Sequence, residues 1–242
     1  MSDAKEKFRA FRFAAIIAFV CGLLITGAST GLKKFQLENK ELDRQMNVLS
    51  AAGAFDGREP GSDERIRALY EQRIEKVRVD NEGRLIRSDK GKGLTLYLYK
   101  INGELAAYIV PIESRGLWGK INGYMAIEKD GKTVAGFSVY NHSETPGLGG
   151  EIEKEWFGKN FVGKRIVNRS GEFVSVAVAK GEAEELPQEK QKHYVDGISG
   201  ATLTGKYLTE GIKKELEAYE PVSVKFRQQD QPAFENRDGM NE

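Results

Sequence analysis

Twenty consecutive residues without a charge, 13–32 (FAAIIAFVCGLLITGASTGL), begin the apolar pattern of the chain. At about 1.5 Å per helical residue they reach roughly 30 Å, the thickness of a bilayer's hydrocarbon core. Lys5, Lys7, Arg9 and Arg12 precede the stretch, and Lys33 and Lys34 follow it. Its small residues (TGAS) make a poor cleavage site, and Val20 before Cys21 does not suit a lipoprotein signal. The stretch therefore reads as a retained single-pass anchor, with residues 1–12 a cytoplasmic tail by the basic-residue bias. Phe35, Leu42, Met46 and Leu49 then recur at helical spacing and predict an amphipathic helix leaving the bilayer. Residues 56–62 (DGREPGS) read as a turn-rich connector. Ser62 ahead of Asp63 and Glu64 predicts a helix start, with helix expected through 63–79, so that 33–93 is a helical membrane-proximal segment.

From Leu94 the period changes to that of strands. LTLYLYKI and ELAAYIVPI flank Asn102-Gly103, the strongest short hairpin signal. A second pair, INGYMAIE and TVAGFSVYNH, surrounds Asp130-Gly131. EIEKEWFGKNFVG predicts a short helix with Ile152, Trp156 and Phe161 on its apolar side, and EFVSVAVAK a further strand. A last helix is expected from about Thr202, carrying Leu203, Tyr207, Leu208, Ile212 and Leu216. Residues 227–242 are polar and read as a disordered tail. The fold class is α+β: one transmembrane helix, then a largely antiparallel sheet domain with flanking helices over 94–226.

Composition narrows the function. Lys+Arg 37 against Asp+Glu 36 in 242 residues leaves a net charge of +1, with no basic excess to draw nucleic acid. Two histidines, His142 and His193, and the single Cys21 cannot build a zinc site of the usual kinds, and no metal site is expected.

The informative stretch is 196–205, DGISGATLTG. From Gly200 it follows G-x-x-x-x-G-K, but Tyr207 stands where a nucleotide-binding loop needs Ser or Thr to hold magnesium. Two readings remain. Gly197 and Gly200 could take positive φ and let the backbone approach a ligand, with residues 199–204 at a helix N-terminus that favours an anion. Alternatively Ser199 or Thr202 simply caps the helix.

The heptapeptide DGISGAT fits the pattern Asp-x-x-Ser/Thr-Gly-Ala-Thr and so resembles the FMN-binding domain family that accepts covalent flavin. The resemblance extends over residues 115–153, with ETPGLGGE at 144–151, and over the layout of the anchor and the AAGAF segment. Such domains serve as subunits of the sodium-translocating NADH:quinone reductase and of the ferredoxin:NAD oxidoreductase. The GLWG stretch and the spelling of ETPGLGGE favour the first.

What the resemblance implies is specific. FMN is joined through its phosphate to Thr202 by a separate flavin transferase, and Thr204 is a bystander. The Asp196 carboxylate cannot attract a phosphate, so its task would be to brace the turn or be read by the transferase. The cofactor-binding set would be Trp118, Glu144, Thr145, Gly147, Leu148, Gly149, Lys180, Asp196, Ser199, Gly200, Ala201, Leu203 and Thr204. Pro146, Gly147, Gly149 and Gly150 could press backbone N–H groups against a flat ring, or form an ordinary connector. Trp118 could lie beside the ring or in the core, and Lys180 could sit near the flavin or in solvent. Since the reaction is electron transfer, no catalytic acid, base or nucleophile is expected. The domain would face the periplasm and pass electrons from NADH toward quinone, coupled to sodium translocation, among the other membrane and peripheral subunits. A membrane-tethered binding or sensing domain without flavin is the alternative from a different class.

Overall fold

The computed structural model describes residues 2–54, 62–86 and 93–228. The connector expected before Ser62 and the polar tail beyond residue 228 lie outside them. The chain divides into two compact units, 1–43 and 44–242. Helix α1 (Ser2–Ala51) makes up the first and continues into the second, and Phe13, Phe19, Leu24 and Ile25 point outward along its apolar stretch. Among the described residues it is the one helix long and apolar enough to cross a membrane. A helix satisfies its own backbone hydrogen bonds, which hydrocarbon demands. The amphipathic stretch expected after the anchor is the later part of α1. Phe35 is exposed, whereas Val48, Leu49 and Ala51 are buried within the second unit.

Helix α2 (Asp63–Arg73) begins as expected, with Ser62 Oγ accepting from Arg65 N–H. It ends six residues early. Residues Ile74–Val79 form strand β1, the edge of an antiparallel sheet whose order is β1-β2-β3-β4-β5. The reading of 63–79 as one helix, and of 33–93 as helical, is thereby corrected. Ile66, Tyr70, Ile74 and Val77 keep a helical spacing, but Ile74, Val77 and Val79 are β-branched. Six residues of β1 find partners along β2 (Leu94–Ile101).

Strand β3 (Glu104–Arg115) follows Asn102 and Gly103, both at positive φ (54° and 84°), as a twist-compatible hairpin turn requires. Strands β4 (Lys120–Glu128) and β5 (Val134–Asn141) complete the meander. Asp130 accepts from the N–H groups of Lys132 and Thr133 to close their turn.

Alternation along the strands separates two faces. Leu96, Leu98, Tyr108, Val110, Ile112, Met125, Phe137 and Val139 share one core with Leu208, Ile212 and Leu216 of α5 (Thr202–Ala218). Tyr108 stacks on Phe226 of α6 (Glu220–Arg227), and its hydroxyl donates to Ser223. That burial pushes the Tyr108 phenol up. On the other face Arg44 reaches the hydroxyls of Tyr70 and Tyr97, and Ser138 donates to the carbonyl of Asn47. Helices thus flank an antiparallel sheet, as expected.

Three further elements differ from the sequence pattern. The stretch after the glycine loop is a 3₁₀ turn (Gly149–Glu153) followed by α3 (Glu155–Lys159). Ile152 and Phe161 are buried, but Trp156 is 45% exposed and Phe157 takes its place in the core. Of the strand expected at 172–180, only β6 (Ala177–Val178) forms. The backbone N–H groups of Val174 and Ser175 both bond Ile166 O, and Ser175 turns to φ 68°, which breaks the ladder. β6 pairs in parallel with β7 (Tyr194–Val195), after the short α4 (Gln188–Gln191). In α5, Leu203 is 48% exposed and Tyr207 only half-buried, so the apolar stripe is Leu208, Ile212 and Leu216.

The position of Phe157 carries a prediction. Its ring lies 6.4 Å from Phe137 and 5.4 Å from Phe161, fully buried. Phe157→Ala should cost about 3–5 kcal/mol, and Trp156→Ala well under half of that, read from urea unfolding of the full chain in detergent.

Candidate functional site

Three segments wall a cavity of about 200 Å³. The first is the turn after β3, where Gly116 N–H donates to Gly119 O at 2.6 Å and lifts Leu117 and Trp118 to the tip. The second is the loop of Glu144, Thr145, Leu148 and Gly149. The third is the start of α5, with Gly200, Ala201, Thr202, Leu203 and Thr204. On the far side of the turn Leu117 and Trp118 also line a shallower groove of about 650 Å³, toward Arg115, Tyr207 and Lys214.

The local sequence explains the third wall. Gly200 sits at φ 74°, where other residues are strained. Gly197 does not take positive φ. Its missing side chain matters for another reason: a Cβ there would stand 2.4 Å from Ala179 O. Ala201 is the N-cap residue of α5 and offers no side-chain hydrogen bond, so neither Ser199 nor Thr202 caps the helix. Thr202 is its first residue and is exposed. The first-turn N–H groups of a helix lack intrahelical partners and attract anions.

Neighbouring hydroxyls are engaged. Thr204 is 2% exposed and donates to Glu144 Oε2 at 2.5 Å. Thr209 donates to Gly205 O and accepts from Val178 N–H, tying α5 to β6. The second wall is tight as well. Gly147 has φ 74° and open space around it, whereas a Cβ on Gly149 would meet Thr204 Oγ1 at 2.6 Å and Glu144 Oε2 at 2.9 Å. A Cβ on Gly150 would lie 3.1 Å from Thr145 O.

Most of the residues expected around a cofactor therefore converge. Gly147, Lys180, Asp196 and Ser199 do not line the cavity. Lys180 is exposed. Asp196 Oδ1 accepts the Ala183 N–H at 2.7 Å and so braces the approach to the turn. Trp118 is 69% exposed, which removes the core reading. Leu117 was missed, as were Gly116 and Gly119, although two glycines three apart around Leu-Trp are a turn signal. Next to the loop, His142 Nδ1 accepts the Glu144 N–H, which leaves Nε2 to donate to Glu153 at 3.0 Å. Bonds from Lys154 and then His142 hold the Glu153 carboxyl below the usual carboxylate range. His193 lies apart, with Nδ1 2.6 Å from Arg165 O.

Residues 116–217 match the FMN-binding domain family, and every residue lining the cavity falls within them. The chain is 32% identical over 240 residues to the C subunit of the Na(+)-translocating NADH-quinone reductase of Pseudomonas aeruginosa, covering 85% of this chain and 90% of that one. The protein of the same name from Yersinia pestis is 32% identical over 221 residues, 78% of this chain and 80% of its own. This chain belongs to the C-subunit family of Na(+)-translocating NADH-quinone reductases.

A solved member, from Parabacteroides distasonis, superposes with a TM-score of 0.68 at 31% identity, over 81% of this chain and 96% of its own. The shared fold is the α+β arrangement described above. With the apolar stretch of α1, family membership associates the chain with a membrane.

Proposed function

We propose that the chain is a flavin-carrying electron relay of an NADH:quinone reductase complex, with FMN esterified through its phosphate to Thr202 Oγ by a separate flavin transferase. One observation carries this reading: Thr202 is an exposed residue at the uncapped start of α5, on the wall of an apolar cavity. Thr145 is also exposed on that cavity but lies on a loop, away from the helix N-terminus.

The residues present fit the group. The first-turn N–H groups of α5 suit a phosphate. Leu117, Trp118, Leu148 and Leu203, between 43% and 69% exposed, offer apolar surface to a flat ring. At about 200 Å³ the cavity is smaller than the roughly 300–1,000 Å³ of sites that engulf a ligand. A shallow site holds a free ligand poorly, and a tether offsets this by raising the effective concentration of the cofactor at its site. A bound flavin would supply the capacity to accept and donate electrons. The chain's own residues anchor the phosphate end, shield one side and leave the other open to partner subunits. Trp118, Glu144, Thr145, Leu148, Gly149, Gly200, Ala201, Leu203 and Thr204 would form this site.

Electrons would pass from NADH toward quinone through the other membrane and peripheral subunits, coupled to sodium translocation. We place the large domain in the periplasm, motivated by the basic residues before the anchor. Protease added to spheroplasts should digest that domain. Its survival there, with digestion only after lysis, would reverse the orientation. The reading of a tethered domain without flavin is tested by fluorescence of the denatured band after co-expression with a flavin transferase: a bright band supports the relay, and a dark one contradicts it.

A further inference from the structure

Glu144 is a buried carboxylate that enters no ion pair among the described residues. The residue as a whole is 4% exposed. Burying a carboxylate is costly unless hydrogen bonds satisfy it. Each of its oxygens takes one donor: Oε1 the backbone N–H of Trp118 at 3.0 Å, and Oε2 the hydroxyl of Thr204 at 2.5 Å. The donors lie 26 and 60 residues away in the chain, on the 116–119 turn and the first helical turn of α5. The two other walls of the cavity are thus fastened to this one side chain on the loop.

Packing closes in around it. A Cβ on Gly116 would stand 2.5 Å from Oε1, and one on Gly149 would stand 2.9 Å from Oε2. Glycine at both positions lets the turn and the loop come within hydrogen-bonding range of the carboxylate. The backbone of Glu144 is held in turn by His142. With both oxygens already taken, the carboxylate acts through its neighbours.

We propose that Glu144 is a positioning residue, a clamp that sets the spacing between the Trp118 turn and the Thr202 turn and thereby the environment of the flavin. This rests on the reading that Thr202 carries FMN. The clamp also occupies the Thr204 hydroxyl, which leaves Thr202 as the available hydroxyl on α5's first turn.

The test uses the full chain, loaded by co-expression with a flavin transferase and compared on the flavin-carrying fraction. Glu144→Gln keeps the shape and removes the charge that strengthens both bonds. Thr204→Val removes one donor, and Thr204→Ser retains it. In Glu144→Gln and in Thr204→Val the visible flavin band and the fluorescence of the folded protein should move toward those of free FMN. The double variant should move no further than the larger single change, because the two groups act as one unit. Thr204→Ser should match the parent. Parent-like band and fluorescence in folded Glu144→Gln, or equal and additive shifts in the double variant, would overturn the clamp. Should Glu144→Gln not fold, the Thr204 pair decides in the same way: a parent-like Thr204→Val overturns it. Absence of covalent flavin from the parent chain would overturn the Thr202 reading and the clamp together. Covalent flavin that ignores Glu144 overturns the clamp alone.

Discussion

Replacing Thr202 by Ala should abolish covalent flavin while changing folding stability by no more than about 0.5 kcal/mol, the range of surface substitutions. The small stability cost follows from the position. Thr202 is exposed, it is the first residue of α5, and the N-cap is Ala201, so no capping bond is lost. The large effect on flavin follows from removing the hydroxyl that would form the ester. Thr204→Ala should do the reverse. Its hydroxyl is buried against Glu144 Oε2, and leaving a buried acceptor one donor short costs about 1–3 kcal/mol. Covalent flavin should nonetheless persist in that variant, and in Thr145→Ala. In-gel fluorescence and chemical denaturation of the four proteins separate these outcomes. A dark Thr204→Ala band beside a bright Thr202→Ala band would exchange the roles of the two threonines.

Gly149→Val should damage both the fold and the flavin site. The new Cβ would fall 2.6 Å from Thr204 Oγ1 and 2.9–3.0 Å from Glu144 atoms. These two side chains are buried and bonded to each other, so neither can swing aside without loss. Overpacking of this kind costs about 1–3 kcal/mol, and the loop that lines the cavity must move outward. Gly147→Ala is the contrast. Nothing lies within 4 Å of a Cβ there, and only its φ of 74° resists the change, at roughly 1–2 kcal/mol. Absorbance of the loaded protein should therefore shift in Gly149→Val and hold in Gly147→Ala. An unshifted spectrum together with unchanged unfolding in Gly149→Val would contradict this account of the loop.

The periodic parts of the molecule were legible because one force decided them. Runs of β-branched, aromatic and other apolar residues in β2 to β5, with the Asn102-Gly103 turn, specify a hairpin meander whatever packs on it. β1 was not legible: Ile66, Tyr70, Ile74 and Val77 are as evenly spaced on a helix as on any element, and only pairing with β2 ends α2 at Arg73. Likewise either Trp156 or Phe157 could face the core from a short helix, and it is Phe157 that packs against Phe137 and Phe161. At the site, resemblance pointed to the residues of the glycine-rich turn and loop, and the fold brings most of them together. It did not convey their division of labour. Asp196, expected to brace the turn or to be read by the transferase, accepts the Ala183 N–H, which fits the first of these tasks. Glu144 opens ETPGLGGE as an ordinary surface acid would, and only the fold reveals it buried between Trp118 and Thr204. Contacts across 26 and 60 residues leave no periodic trace.

Whether Thr202 carries FMN is read from the intact mass of the full chain expressed with and without a flavin transferase, followed by fragmentation of the peptide that spans 193–206. The mass should rise by FMN less one water, only with the transferase, and the gain should lie on Thr202. An unchanged mass, or the same gain located on Ser199 or Thr204, would contradict this assignment.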